Sequence, residues 1–464
     1  MRRLFLLILS GGLALNLPAQ TRRPNIIFIM ADDLGYGHLT AYHPGARVPT
    51  PHLDALARQG TRFTRFYAGS PVCAPSRCAL MTGKHMGHAY IRHNGDVPLR
   101  PQDTTLTERL KAAGYVTGMM GKWGLGTEET SGAPPLKGWD EYLGYLHHRH
   151  AHNHQTDHLW EIRQGRLVRR PVDTTAFTQA LFMERALAFM EAHRQEPFFL
   201  YLPLTLVHAE LAAPEADVAP FRYPDGRSRL APERPYTQLP PPSLYRSQAQ
   251  PHAVFAAMLA RLDQDVGRLL ERLRTLGLDQ NTLVVFTSDN GPGPEGGSDP
   301  AFFDGNGPLR GIKRDVYEGG IRVPMLVRGP GIPAGRVSDS PFALWDMPAT
   351  LCEWAGTTAP AGDGRSQVAL WRGRAVPSAD RVLFWQYREG TLRQAVMQGD
   401  WKLVRIKAAG QPEQVELFNL ARDLGETTNL AGQAPARVAH LRRLMLAAQE
   451  PPEHPQFDWS NSER

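Results

Sequence analysis

The chain has 464 residues, of which 42% are hydrophobic and 21% charged, with no long single-residue runs. That composition excludes a disordered or repetitive protein and leaves room for one large catalytic domain with an appendage, or for two or three ordinary domains. The formal charge of +6 suits an anionic ligand but equally describes ordinary surface charge, and no basic helix or aromatic-basic module argues for nucleic acid. Three cysteines are too few for a disulfide framework, and the odd count leaves at least one thiol to explain.

In chain order, Met1-Arg2-Arg3 followed by the apolar stretch Leu4 to Leu17 has the form of a secretory signal peptide, assigned to residues 1–20. Its apolar core is shorter than the roughly 20 residues a membrane span needs, so the expectation is an exported protein, periplasmic or secreted, with no stable membrane anchor. Asn25 to Met30 is an apolar run typical of a strand buried on both faces, ending in Asp32-Asp33-Leu34-Gly35. Val116 to Met120 and Phe198 to Leu202 are further strand candidates. Residues 212–251 are rich in Pro, Arg and Gln without periodicity and read as a long surface excursion that walls the site. From His252 to Leu276 apolar residues recur at helical spacing, and Gly277 is placed to end the helix. Thr282 to Thr287 repeats the buried-strand pattern and ends in Ser288-Asp289-Asn290-Gly291.

Strands alternating with helices predict an α/β fold with a large, mostly parallel sheet flanked by helices, here spanning 24–376. Ligands in such sheets bind beyond the carboxyl ends of the strands, where both acidic clusters lie. Beyond about Pro377, the runs Arg381 to Tyr387, Gln394 to Gln398, Trp401 to Ile406 and Val415 to Phe418 predict a C-terminal subdomain, 377–464, with a small antiparallel sheet.

Asp32, Asp33, Asp289 and Asn290 supply carboxylate and amide oxygens without a neighbouring His or Cys, a donor set for a hard cation such as Ca²⁺ or Mg²⁺. Either cluster alone would serve equally to cap a turn or helix. Cys73 precedes Pro75 at an expected helix start, with Gly83 as its end, so its side chain would face an anion at free N–H groups; a buried structural thiol is the other reading.

The run Cys73-Ala74-Pro75-Ser76-Arg77 through Thr82-Gly83 resembles the motif of the type I, arylsulfatase-like sulfatase family, in which the cysteine is oxidised to formylglycine. Gly114 to Trp123, Asp32-Asp33, Asp289-Asn290-Gly291, Lys313 and Glu318 to Pro324 match the family in order, and the resemblance covers about residues 24–430. It implies an alkaline-phosphatase-like sulfatase fold and one Ca²⁺ per chain, held by Asp32, Asp33, Asp289, Asn290 and the formylglycine made from Cys73. It further implies that a hydroxyl of the hydrated aldehyde attacks sulfur while Ca²⁺, Arg77, Lys122 and Lys313 neutralise the sulfate oxygens and His208 protonates the leaving alcohol. The second hydroxyl then expels sulfate. The implied partners are a sulfated saccharide and a formylglycine-generating or anaerobic sulfatase-maturing enzyme, and the implied class is a bacterial carbohydrate sulfatase.

One position departs from the family: two residues after Lys122, where many members carry histidine, stands Gly124. His147, His148, His150, His152, His154 and His158 are the nearby candidates, and His150 and His152 are selected as substrate contacts. Their spacing fits no closed tetrahedral zinc set. The aromatic and histidine-bearing stretch Tyr142 to Trp160 suits a sugar ring, with an aryl sulfate as the simpler substrate. Two other readings stay open: a phosphoester or phosphonate monoester hydrolase of the same superfamily, and an inactive sulfated-glycan-binding protein.

Overall fold

The computed structural model describes residues 23–240 and 245–458; the expected signal peptide lies outside them. Ten strands form the main sheet: β1 (Asn25–Ala31), β2 (Thr61–Phe63), β4 (Val116–Lys122), β5 (Glu141–Tyr145), β6 (His158–Arg163), β7 (Arg166–Pro171), β8 (Phe198–Pro203), β9 (Thr282–Ser288), β10 (Met325–Arg328) and β11 (Arg336–Ser338). A short parallel pair, β3 (Phe66–Tyr67) with β12 (Phe342–Ala343), lies beside it. The sheet order is β11-β2-β10-β9-β1-β8-β4-β5-β6-β7. The five central strands from β9 to β5 run parallel, whereas β10, β6 and β7 pair antiparallel at the flanks.

The centre is β1, paired in parallel with β8 on one side and β9 on the other. Because strand side chains alternate, Ile26, Phe28 and Met30 pack into one core while Ile27, Ile29 and Ala31 pack into the other. Helices cover both faces: Cys73–Thr82, Leu106–Ala112 and Met347–Ala355 on the first, Pro51–Gln59, Thr178–Ala192 and Pro251–Thr275 on the second. A run of seven wholly buried residues in β1 is what two covered faces require. Among the described residues no helix is long and apolar enough to cross a membrane.

The helix Leu106–Ala112 starts in a capping box: Glu108 N–H donates to Thr105 Oγ1, and Thr105 N–H donates back to Glu108 Oε2 at 2.7 Å. Thr105→Ala should cost about 1 kcal/mol in urea unfolding, the usual loss for an N-cap hydroxyl.

Four antiparallel strands in simple order, β13 (Val382–Glu389), β14 (Thr391–Gln398), β15 (Trp401–Lys407) and β16 (Gln414–Asn419), make the C-terminal sheet. A helix the sequence reading did not anticipate, Pro435–Ala447, packs on it through Leu441 and Met445. The two parts are joined by buried charge. Lys402 Nζ on β15 meets Glu318 Oε1 at 2.8 Å and Glu426 Oε1 at 2.9 Å, all three side chains fully buried. Tyr67 and Arg322 donate to the other oxygen of Glu318.

Candidate active site

The carboxyl ends of the central parallel strands converge on one point, as the open-sheet rule requires. Asp32 and Asp33 follow β1, Asp289 and Asn290 follow β9, Lys122 ends β4, and His208 sits in the loop after β8. Cys73 enters from the side as the first residue of its helix, whose ten residues are all buried and whose end is set by Gly83 at φ +72°. The ligand atoms of Asp32, Asp33, Cys73 and His208 lie within 4.8 Å of one another. Asp33 is held at φ +60°, an uncommon conformation for a residue with a Cβ, by its N–H bond to Asp289 Oδ1 and by the Asn290 amide donating to its Oδ1 at 2.8 Å. The chain beside it is equally tight: a Cβ on Gly291 would stand 1.9 Å from the Gly319 carbonyl oxygen.

Three cations face the three carboxylates. Lys122 Nζ reaches Asp32 Oδ2 at 2.7 Å, Arg77 bridges Asp289 Oδ2 at 2.7 Å and Asp32 Oδ2 at 3.3 Å, and Lys313 Nζ reaches Asp33 Oδ2 at 2.8 Å. Against the cost of full burial, Lys122 foremost holds Asp32 well below the usual carboxylate range. Burial pushes Asp33 and Asp289 up to about 6, with Asp32 adding to the rise at both. Within the acidic cluster Asp32 Oδ1 and Asn290 Oδ1 are buried without a hydrogen-bond partner among the described residues, as is Glu295 Oε2 on the adjoining wall. A buried, unsatisfied acceptor costs roughly 1–3 kcal/mol, so two beside an acidic pair fit the seat of a hard cation. The oxygen donors of Asp32, Asp33, Asp289 and Asn290 suit a hard cation, with the Cys73 sulfur and a His208 nitrogen within 4.8 Å of the Asp32 and Asp33 oxygens.

Burial pushes the Cys73 thiol up to about 12, so as a plain cysteine it would stay protonated and weakly nucleophilic. Cys78 and Cys352 are likewise buried free thiols. Burial drives His208 down to about 4 and keeps it neutral. Its Nδ1 donates to the Ala209 carbonyl, and its Nε2 accepts from Lys313 Nζ at 3.0 Å, a tautomer assigned from these partners. At this pair the mobile proton therefore resides on Lys313, which Asp33 holds charged against the cost of burial.

A cavity of about 310 Å³ opens onto Cys73, His208 and Lys313. Arg77 and Lys122 are 1% exposed and pair with Asp289 and Asp32 beside Cys73. His152 is on the wall, its ring stacked on His208 at 4.5 Å. His150 is not brought to the site: its Nε2 meets Thr156 at 2.8 Å and its ring stacks on His158. His148, just before the short 3-10 turn of residues 150–152, lines the cavity together with His152, while His150 faces His158 on the other side. His148 also lines a neighbouring cavity of about 170 Å³ that contains Gly124. At φ +76° Gly124 disfavours any side chain, although a Cβ there would meet nothing closer than Arg77 Cδ at 3.9 Å.

Sequence reasoning missed most of the rim. His93, Asn94, Arg149, Glu295, Arg314, Tyr387 and Glu389 complete the wall, and Tyr245 comes from the Pro-rich excursion expected to border the site. For the C-terminal pair no local signal existed. A larger concavity of about 920 Å³, lined by His52, Arg268 and Asp279 among others, lies at the opposite ends of the strands and has no such cluster.

A buried cysteine, an oxygen-rich acidic cluster with unpartnered acceptors and a Lys–His pair at the carboxyl ends of a parallel sheet fit a hydrolase of anionic esters. The comparisons narrow the class. The Sulfatase family model matches residues 24–357, and a second model, described as N-sulphoglucosamine sulphohydrolase, C-terminal, matches residues 311–449. The chain belongs to the sulfatase family and is a sulfatase enzyme. It is 30% identical to an arylsulfatase of Klebsiella aerogenes, over 75% of this chain and 90% of that one, and 32% identical to human arylsulfatase A, over 96% and 90%. It is also 32% identical to human N-acetylgalactosamine-6-sulfatase, over 81% and 70%. Among solved structures, Ps i-CgsB in complex with k-i-k-neocarrahexaose is similar at a TM-score of 0.77 and 26% identity, covering 95% of this chain and 98% of that one. The phosphonate monoester hydrolase of Agrobacterium radiobacter, at 0.67 and 21% identity over 92% and 95%, shares the fold.

Proposed function

We propose that the enzyme is an exported, Ca²⁺-dependent carbohydrate sulfatase whose nucleophile is formylglycine made from Cys73 by a maturing enzyme. The observation that carries the reading is the pair of orphaned buried oxygens, Asp32 Oδ1 and Asn290 Oδ1, in the acidic cluster beside a thiol too buried to ionise. Asp32, Asp33, Asp289 and Asn290 would hold the cation, which supplies positive charge to the sulfate oxygens, and residue 73 would supply the attacking oxygen. Three carboxylates and three cations already balance formally, so a divalent ion gives the site the excess positive charge that a singly negative sulfate ester needs.

The chain's own residues divide the remaining work. Arg77 and Lys122 fix the carboxylates and set the charge behind residue 73. Lys313, on the cavity wall, binds a sulfate oxygen, and the Lys313–His208 pair passes a proton to the departing alcohol oxygen. His148 and His152, held neutral by burial, are bases at the same wall. Support for a sulfated sugar as substrate comes from relatives named N-acetylgalactosamine-6-sulfatase and from a similar structure solved in complex with k-i-k-neocarrahexaose.

The test joins mass spectrometry of the peptide spanning Cys73 to sulfate release from sulfated saccharides and an aryl sulfate. An aldehyde at position 73 with sulfate release is the expected result; an unmodified thiol in active enzyme sinks the mechanism. Faster turnover of phosphate or phosphonate monoesters would replace the substrate reading, and an aldehyde-bearing protein that releases nothing would be a binding protein. Chelation should abolish turnover, and Ca²⁺ at about 100 times its Kd should restore it while adding about 2.7 kcal/mol of stability in thermal melts. Unchanged melting with Ca²⁺ would remove the cation from the reading.

A further inference from the structure

The walls of the Cys73 cavity are drawn together by contacts between side chains from several segments. Arg314, itself at φ +77°, donates to Glu389 Oε2 at 2.6 Å and also pairs with Glu295, tying the hairpin after β13 to two loops of the main domain. Tyr387 donates its hydroxyl to the same Glu389, and His93 lies flat on the Tyr387 ring, at 5.8 Å and 10°, bringing in the loop beyond the Cys73 helix. Across the opening, Tyr245 packs on His152 at 5.2 Å, and His152 on His208. Segments far apart in sequence thus meet around one mouth.

A polysaccharide threaded through a site needs a groove open at both ends. A cavity of about 310 Å³ stands at the bottom of the range for small-molecule sites, about 300–1,000 Å³, and its reacting groups lie at the base: Cys73, His208 and Lys313 are each no more than 4% exposed. The ester must therefore be carried down by a ring that can leave its neighbours behind on only one side. Resting on the sulfatase reading above, we propose that the substrate is the sulfated sugar at the end of a chain, taken whole into this pocket while the rest of the saccharide projects through the mouth. The Arg314–Glu389 clasp is the wall that bars internal residues. The charged groups around the mouth suit the hydroxyls of a single terminal ring, since hydrogen bonds with one ionised partner are the stronger ones.

The experiment uses the mature enzyme and two sets of tetrasaccharides derived from chondroitin sulfate, heparan sulfate and carrageenan, one set sulfated only on the non-reducing terminal sugar and the other only internally. Sulfate is measured by ion chromatography and its position by mass spectrometry. The terminal set should react faster by at least about tenfold, a discrimination of about 1.4 kcal/mol; a smaller ratio overturns the proposal. Sulfate released from an aryl ester and from no saccharide also overturns it while leaving the sulfatase reading intact, whereas silence on every ester ends both. In Arg314→Ala the preference should fall by at least about threefold with correct folding checked by circular dichroism, and an unchanged preference removes the clasp as its cause.

Discussion

Cys73→Ala is expected to reduce sulfate release by at least about 10⁴-fold while the protein folds normally, because losing a nucleophile removes the covalent route altogether. The stability cost should be near 1 kcal/mol, the typical loss for one small buried side chain. Two readouts separate the outcomes: turnover on an aryl sulfate, and urea unfolding followed by near-ultraviolet dichroism. Residual activity within about 100-fold of the parent would mean that the chemistry does not pass through residue 73. Among the remaining groups around the cavity, Lys313 is paired with Asp33, the imidazoles of His208 and His152 are neutral, and burial keeps the Tyr245 and Tyr387 hydroxyls protonated.

Lys402→Ala should lose about 3–5 kcal/mol in urea unfolding, the cost of leaving buried charge without its partner. Glu318 and Glu426 share the ammonium, and burial has already pushed Glu426 up to about 7. Removing the lysine leaves two carboxyl groups facing each other, Glu318 still bound by Arg322 and Tyr67 and Glu426 by the Glu318 N–H. Arg274→Ala is the control: its partner Glu271 is solvent-exposed, and unfolding should be indistinguishable from the parent. A Lys402 variant as stable as the Arg274 variant would refute the clasp.

Much of the scaffold was legible because burial leaves a pattern. Asn25 to Met30 and Thr282 to Thr287 are unbroken apolar runs, and they became β1 and β9, adjacent at the centre. The amphipathic stretch from His252 became the helix Pro251–Thr275, followed by Gly277 at φ +69°. The hairpin of β6 and β7 escaped notice because its strands, HLWEIR and RLVRRP, are half-exposed and charged; only the turn residues Gln164 and Gly165, both at positive φ, marked it. Asp32, Asp33, Cys73, Asp289 and Asn290 could be singled out because they stand in short runs, and the structure brings them together at the ends of β1 and β9. The cavity rim could not, because Glu295, Arg314 and Glu389 become neighbours only when separate loops meet, and salt-bridging residues carry no local signature. The same reason hid the placing of His148 rather than His150 at the cavity, which depends on how the loop after β5 folds back.

The C-terminal sheet gives the catalytic domain both the Glu389 wall and the Lys402 ammonium. A chain whose first 376 residues had folded alone would hold Glu318 buried without its lysine and a reaction chamber with one side missing. The two parts should accordingly melt as a single cooperative unit, and a nascent chain becomes a working enzyme only when its last strands have been made.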